Sequence, residues 1–433
     1  MPTSRRQFLT AAAALSGTTF ATTSNHFAGA GAEPETLPPS IASLRSMRDL
    51  AHTISPEERR ERQDKARALM AANDLDAMLL MEGTSLNYFT GIRWWGGERM
   101  FAMVLPRKGA GFYVCPAFEE GRAREQIGKS SEGAAGDVRT WQEDESPFQR
   151  VAEGLKDRKI STGRIGIEET VRFVFCEGVG KAAPQARLVS ATPVTAGCRM
   201  IKSPAELDLM RLASKVTLTA YEAVYRALRD GMTEHDVARL VEAAHRQLGF
   251  SGDALVEVGE YTAFPHGSVQ PQVIHEGVPI LMDGGCAAEG YQSDITRMLV
   301  MGKPSEHVKK VFDIVHRAQS AALNAARPGV ECGAVDAAAR KVISDAGYGP
   351  DYKFFTHRLG HGIGMDGHEW PYIVRSNPTQ LAAHMTFSDE PGIYIRGEFG
   401  VRLEDDMHIT EEGAELLTPQ CPSLEEPFGQ RAA

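Results

Sequence analysis

Val278-Pro279-Ile280-Leu281-Met282-Asp283-Gly284-Gly285, followed after a short turn by Gly290-Tyr291-Gln292-Ser293-Asp294-Ile295-Thr296-Arg297-Met298-Leu299-Val300-Met301, is the stretch that decides how this chain folds. Two apolar runs flank a glycine-bearing turn, so they read as facing strands of a hairpin. One carboxylate closes the first run and another opens the second, and strand geometry lets both point to one face. An acid at the end of an apolar strand is costly to bury without a strong partner.

A second hairpin repeats the pattern downstream. Phe387-Ser388-Asp389-Glu390-Pro391-Gly392-Ile393-Tyr394 and Gly400-Val401-Arg402-Leu403-Glu404 flank a turn rich in Gly and charge, and supply a second pair, Glu390 and Glu404. Between the hairpins, His361 sits in Gly360-His361-Gly362-Ile363-Gly364, where glycines permit unusual backbone angles and close approach of the chain to a ligand. Any one of these acids, among the 57 in the chain, reads most simply as a solvated surface group. Their placement after apolar runs in two hairpins shifts that balance.

Four buried carboxylates repel one another and take up protons unless cations neutralise them, and two divalent ions match four negative charges. Two ions sharing a water acidify it toward neutrality, which points to metal-assisted hydrolysis. Oxygen-dominated ligation suits Mn²⁺, with Co²⁺ or Zn²⁺ as substitutes, and the lack of Cys in the set argues against a closed structural zinc site.

The segments Met282-Asp283-Gly284-Gly285, Gly290 to Arg297, Gly360 to Gly364, Glu390-Pro391-Gly392-Ile393-Tyr394 and Val401-Arg402-Leu403-Glu404-Asp405 together resemble the five ordered signatures of the pita-bread metallopeptidases. That family includes Xaa-Pro dipeptidase (prolidase), aminopeptidase P and methionine aminopeptidase. The resemblance implies a binuclear centre in which Asp294 and Glu404 bridge the metals, Asp283 completes one site, and His361 with Glu390 completes the other. All five ligands are present, unlike in creatinase-like relatives that have lost the metals. His266, in Ala263-Phe264-Pro265-His266-Gly267, resembles a histidine that assists proton transfer or positions substrate. His368, in His368-Glu369-Trp370-Pro371-Tyr372, resembles one that hydrogen-bonds the scissile carbonyl or its oxyanion. His357 reads as a pocket residue, with a structural role equally open. Arg402 lies two residues from Glu404, so on a strand it shares that face and can hold a substrate carboxylate or orient the ligand.

Within the family, hydrolysis of Xaa-Pro dipeptides is the natural reading, because a separate N-terminal domain precedes the catalytic one, whereas methionine aminopeptidases lack it. Aminopeptidase P is the near alternative. A lyase acting on dimethylsulfoniopropionate shares the fold, and a metal-dependent binding protein without turnover is a third possibility. In the dipeptidase reading a hydroxide between the metals attacks the amide carbonyl before proline, His368 and one metal stabilise the oxyanion, and Glu390 carries the proton to the leaving nitrogen.

The expected fold is α+β: a smaller creatinase-type α/β domain over residues 55–195, then a pita-bread catalytic domain over 200–420, with a tail at 421–433. Ser55-Pro56-Glu57-Glu58 reads as cap, first-turn proline and capping-box Glu of a helix reaching about Asn73, and Asp76 to Met81 follows as a strand. Ser203-Pro204-Ala205-Glu206 repeats the signal at the start of the catalytic domain. Inside that domain, Gly231-Met232-Thr233 with Val237 and Gly249 matches Gly329-Val330-Glu331 with Val335 and Gly347 at constant offset, which suggests a duplication giving a pseudo-twofold, curved antiparallel sheet backed by helices. The resemblance also implies a homodimer in which N-terminal loops close over the neighbouring subunit's site; Arg93-Trp94-Trp95-Gly96-Gly97-Glu98-Arg99 is the candidate loop, although a Trp pair is more often core.

At the amino end, Ser4-Arg5-Arg6-Gln7-Phe8-Leu9 followed by Ala11 to Leu15 reads as a twin-arginine export signal, with Ala30-Gly31-Ala32 as a cleavage site and residues 33–54 as a linker. A periplasmic or secreted location follows. With 42% hydrophobic and 24% charged residues the chain is globular. Its net charge of -10 becomes -12 when Arg5 and Arg6 are removed, which argues against nucleic acid as a partner and leaves small proline-containing peptides. No apolar stretch is long enough to span a membrane. The six cysteines show no zinc-type spacing and read mostly as buried thiols, Cys286 among them.

Overall fold

A computed structural model describes residues 37–94, 96–130 and 136–429. The export signal at 1–32 therefore lies outside the described residues, as does Trp95.

The N-terminal domain is built on strands β1 (Ala77–Met81), β2 (Ala102–Pro106), β3 (Phe112–Pro116), β4 (Asp137–Trp141), β5 (Arg164–Ile167) and β6 (Arg187–Ser190), in the order β4-β3-β2-β1-β5-β6. β1 pairs antiparallel with β2 and parallel with β5, so the sheet is mixed. Its central strand is apolar throughout because both faces are covered. Met78 and Leu80 enter one core with helices α1 (Pro56–Ala72) and α2 (Thr84–Thr90); Ala77, Leu79 and Met81 enter the other, below α4 (Pro147–Asp157) and α5 (Phe173–Ala182), while α3 (Glu120–Gly128) joins the first. Ser55 caps α1 by accepting from the Glu58 amide at 3.1 Å. The reciprocal half of the expected capping box is not made: the Glu58 carboxylate instead accepts from Arg62 at 2.8 Å and from the Ser203 hydroxyl at 2.7 Å, which ties α1 to the start of the catalytic domain. Trp94 is half-buried against the first core, stacked on Phe101 with ring centroids 3.9 Å apart and covered by Arg122, so the proposed loop is anchored at that position.

Helix α6 (Thr192–Arg199) leads into α7 (Pro204–Tyr225), where Ser203 and Glu206 form a complete capping box. Then α8 (Glu234–Gln247) precedes strands β7 (Gly252–Val258), β8 (Pro279–Ala288), β9 (Tyr291–Gln292) and β10 (Ile295–Val300), which form a sheet in the order β10-β8-β7 with β9 on β8. The second half runs α9 (Glu306–Ala325), α10 (Cys332–Ile343), β11 (Gly360–Gly362), β12 (Glu369–Ile373), β13 (Thr386–Asp389), β14 (Gly392–Ile395), β15 (Phe399–Arg402), β16 (Asp405–Ile409) and β17 (Ala414–Leu416). Its sheet order is β12-β11-β13-β16-β17, with β14 and β15 as a separate hairpin. Thus β7-β8-β10 corresponds to β11-β13-β16, and β12 and β17 are additions at the edges.

The turns that open the two halves match closely. Gly231 and Gly329 both take a left-handed backbone, at φ 83° and 85°. The Gly231 amide donates to Ile274 O at 2.9 Å and the Gly329 amide to Leu381 O at 2.8 Å, while Ile274 and Leu381 return bonds to Met232 and Val330, both at 2.8 Å. The correspondence fails after Gly347: where β7 follows α8 almost at once, residues 349–359 are irregular before the three-residue β11. An isolated bridge between Thr296 and Glu404 joins the halves.

The segment read as a linker is packed from its helical turn Pro39–Ala42 onward: Ile41 is fully buried and the Met47 amide donates to Leu248 O at 2.9 Å. The tail packs too, with Cys421 and Leu424 buried, the Val300 amide donating to Leu424 O at 3.1 Å and the Tyr225 hydroxyl to Glu425 O at 2.6 Å. All six cysteines are free thiols; five are buried and Cys176 is half-buried. Cys286 donates to Ala213 O at 3.4 Å and serves strand packing. No described helix is long and apolar enough to cross a membrane.

Candidate metal centre and active site

Strand register delivers the carboxylates. Asp283 stands in β8 opposite Thr296 of β10, Asp294 immediately precedes β10, Glu390 follows β13, and Glu404 immediately precedes β16. His361 is in β11, whose approach to β13 requires glycine at 360: a Cβ there would lie 1.8 Å from Ser388 O. Close approach, not a left-handed backbone, is what the glycines around His361 provide; among positions 360, 362 and 364 none has positive φ.

These residues line one pocket of about 410 Å³, shared with His266, His357, His368, Arg402, Arg358, Pro265 and Gly284. All nine residues singled out in the sequence therefore meet here. Ligand atoms of Asp283, Asp294 and Glu404 lie within 4.8 Å of one another, as do those of His361, Glu390 and Glu404. Glu404 belongs to both groups, which suits a bridging carboxylate. A third group, Asp294, His361 and His368, brings His368 within ligand distance as well.

The electrostatics say that the pocket is built for cations. Burial, and then the charge of Asp283, push Asp294 well above the usual carboxylate range. Burial and the charge of Asp294 do the same to Glu404, and burial raises Glu390 to about 7. Asp283 alone is lowered: burial works against its charge, and the Arg402 guanidinium overcomes that. Burial, and then the neighbouring His368, drop His361 to about 3, so it is a neutral imidazole with a free lone pair at any ordinary pH. Thr296 makes the same point geometrically. Its single hydroxyl hydrogen faces Asp283 Oδ1 at 2.9 Å and Glu404 Oε2 at 2.6 Å and can serve only one of them. Neutral imidazole with four crowded carboxylates is a donor set that fits two hard or borderline divalent ions.

Arg402 is 3% exposed and fully engaged. It ion-pairs with Asp283 and donates to Thr296 Oγ1 at 3.2 Å, Pro265 O at 3.1 Å and the Tyr394 hydroxyl at 3.0 Å. Of its two expected roles, the structure supports orienting the ligand. Tyr394 extends the chain to His357 Nε2 at 2.7 Å, and His357 Nδ1 donates to Arg358 O at 2.8 Å. His357 is thereby fixed as a neutral ring, and burial, then Arg402, hold it at about 3.

Arg358 was passed over in the sequence although it stands between two of the histidines. It is half-buried on the pocket wall, lies over the Tyr372 ring at 4.4 Å, and makes no ion pair among the described residues. It donates to His368 Nδ1 at 3.2 Å, so His368 Nε2 carries the hydrogen. Burial and then Arg358 lower the His368 pKa, keeping that ring neutral. Its ring lies tilted by 32° against that of His361, with centroids 3.7 Å apart. His266 is exposed at the rim. Thr296, Tyr394 and Asp406, whose carboxylate accepts from the Asp294 amide at 3.1 Å, also support the ligands; Thr296 and Tyr394 lie inside the motifs, but only contacts across the chain reveal their work.

A creatinase-type α/β domain followed by a pita-bread domain with a carboxylate-rich donor set defines a metal-dependent hydrolase of the α+β class. Residues 208–411 match metallopeptidase family M24 and residues 62–201 match the creatinase/prolidase N-terminal domain. The chain is 33% identical over 369 residues to the Xaa-Pro dipeptidase of Lactobacillus delbrueckii subsp. lactis, covering 83% of this chain and 97% of that protein. Dipeptidase PepE from Mycobacterium ulcerans superposes with a TM-score of 0.80 at 32% identity, covering 86% of this chain and 99% of its own, and an X-Pro aminopeptidase from Thermotoga maritima with 0.72 at 30%, covering 84% and 99%. The chain belongs to metallopeptidase family M24.

Proposed function

We propose that this protein hydrolyses the peptide bond before proline in Xaa-Pro dipeptides. The observation that carries the reading is Arg358: a half-buried guanidinium with no ion-pair partner among the described residues, on the wall of the pocket that holds the four carboxylates. A dipeptide brings a C-terminal carboxylate close to its scissile bond, and a planar guanidinium is the group suited to hold it. The similarity to an Xaa-Pro dipeptidase supports this reading.

Asp283, Asp294, His361, Glu390 and Glu404 would hold two divalent ions, Mn²⁺ by preference of their oxygen-rich set. When bound, such ions polarise a carbonyl and supply an acidified water. The protein's own groups do the rest. Arg402 holds Asp283 in place, and Thr296 spaces Asp283 from Glu404. Arg358 anchors the substrate carboxylate. His368, with its hydrogen on Nε2, donates to the carbonyl oxygen as charge develops there. Glu390, which accepts from the Ser388 hydroxyl at 3.1 Å, is placed to carry a proton to the leaving nitrogen. The bond before proline offers no N–H, so recognition falls on the carboxylate and carbonyl.

The similarity to an X-Pro aminopeptidase favours a second reading, release of the first residue from longer peptides. Mn²⁺-loaded protein offered Ala-Pro and Ala-Pro-Ala separates the two. Preferential cleavage of Ala-Pro supports the dipeptidase reading, and efficient cleavage of Ala-Pro-Ala overturns it. Export through the twin-arginine signal is proposed as well; Arg5→Lys with Arg6→Lys should leave the protein in the cytoplasm. A homodimer is proposed on family resemblance and is read by sedimentation.

A further inference from the structure

His368 stands at the end of the turn joining β11 to β12, and three residues around it, Met365, Asp366 and Glu369, are held by the N-terminal half of the chain. Met365 packs against the N-terminal domain's first core. Asp366 accepts from Thr84 Oγ1 at 2.5 Å and from Arg199 Nη2 at 2.5 Å. Glu369, on the other side of His368, accepts from that same Arg199 nitrogen and from Lys202 Nζ at 2.8 Å. Arg199 and Glu369 are each 7% exposed and Lys202 3%, so the Glu369 arm of the network is desolvated, whereas the Asp366 side chain is 38% exposed. Arg199 Nη1 lies 3.4 Å from Ser85 Oγ, which donates to Glu168 Oε1 at 3.0 Å.

A hold of this kind has something to oppose. His368 lines the metal pocket and also a second cavity of about 220 Å³ between the domains, walled by Glu168, Thr170, Arg199 and Trp370. The ring is exposed, with one face over His361 and Nδ1 against Arg358. Gly364 and Gly367 leave the turn without side chains to stiffen it. One guanidinium nitrogen offers two hydrogens, and here they go to the carboxylates that bracket the histidine.

We propose that Arg199 is the positioning residue for His368: through Asp366 and Glu369 it fixes the turn so that His368 Nε2 faces the metal pocket, and the N-terminal domain thereby sets the geometry of the oxyanion donor. The inference rests on His368 being that donor. A displacement of the order of 1 Å in such a group costs roughly 100-fold in rate.

The test is a cycle on Mn²⁺-loaded full-length protein, with kcat and KM for Ala-Pro and metal content by mass spectrometry. Arg199→Gln should lower kcat roughly 10- to 100-fold with little change in KM and with metal content unchanged, and Arg199→Lys should restore most of it. In a His368→Ala background the same Arg199→Gln change should lower kcat less than about twofold, because the group it positions is gone. An equal loss in both backgrounds, or a loss that follows metal content, overturns the proposal. If His368→Ala itself leaves kcat unchanged, the oxyanion reading falls first and this one with it. Should Arg199→Gln not fold, Thr84→Val removes one arm of the hold and should show the same non-additivity at roughly threefold.

Discussion

In the first half of the catalytic domain, Gly231 turns the chain from α7 toward α8 and three strands follow; in the second, Gly329 turns it from α9 toward α10 and three corresponding strands follow. Each half places one carboxylate immediately before its last equivalent strand, Asp294 before β10 and Glu404 before β16, and one further back, Asp283 and Glu390. The halves differ in everything that faces substrate. His357, Arg358, His361, His368 and Arg402 all come from the second, which spends an irregular stretch at 349–359 and an extra edge strand β12 on presenting them; the first contributes His266 at the rim. The acids that hold metal are shared evenly between the repeats, and the groups that orient the chemistry are concentrated in one.

The comparison can be broken most severely at the residue common to both ligand groups. Glu404→Ala should abolish binding of both metals and lower Ala-Pro hydrolysis about a thousandfold or more, as expected when several kcal/mol of charge stabilisation are removed. His368→Ala strikes only the second half's contribution. It should keep both metals and lower kcat roughly 100-fold, read as steady-state rates beside metal content. Thr296→Val sits on the seam between the halves, and loss of its hydroxyl should weaken metal affinity by about 10- to 100-fold in a competition titration with a chelator.

A pH series sharpens the symmetric part of the picture. In metal-free protein, Asp294, Glu390 and Glu404 are held above their ordinary values, so the folded state keeps protons that the unfolded chain has released. These acids make stability fall as pH rises, while His357 and His361, held at about 3, work the other way below their ordinary 6.5, so the fall should be seen between about 6.5 and 8. Asp283 is lowered, so its contribution is already complete above its ordinary value of 3.8 and does not change over this range. Bound cations replace those protons, and the gap in Tm between Mn²⁺-loaded and stripped protein should widen with pH; a constant gap would contradict the account. The smallest effect lies at the matched turns. Thr233 caps α8 with a full box, whereas Glu331 makes no side-chain cap on α10, so Thr233→Ala should cost about 1 kcal/mol in denaturant unfolding and Glu331→Ala far less.

Much of this was legible in the chain. Acids at the ends of apolar runs marked both hairpins, and Ser-Pro-x-Glu marked the starts of α1 and α7, because those signals are local. Arg402 was seen to share a face with Glu404, but its engagement with Asp283, 119 positions away, depends on how two hairpins meet. Arg358 was visible and unassigned, since nothing local says that it lacks a counter-ion. Trp94 reads as an exposed loop residue and is half-buried against the core, because Phe101 and Arg122 close over it. The linker read at 33–54, in its described part from 37 on, and the tail after 420 carry few regular elements, yet Ile41 and Cys421 are buried.

The central claim is that the two halves jointly build one centre for two divalent ions on which peptide hydrolysis depends. Stripped protein titrated with Mn²⁺ while Ala-Pro cleavage and bound metal are followed together tests it most directly. The account predicts that activity develops as two equivalents bind and that Asp294→Ala and Glu404→Ala, one from each half, both prevent it. Full cleavage by metal-free protein, or by either variant, would contradict it.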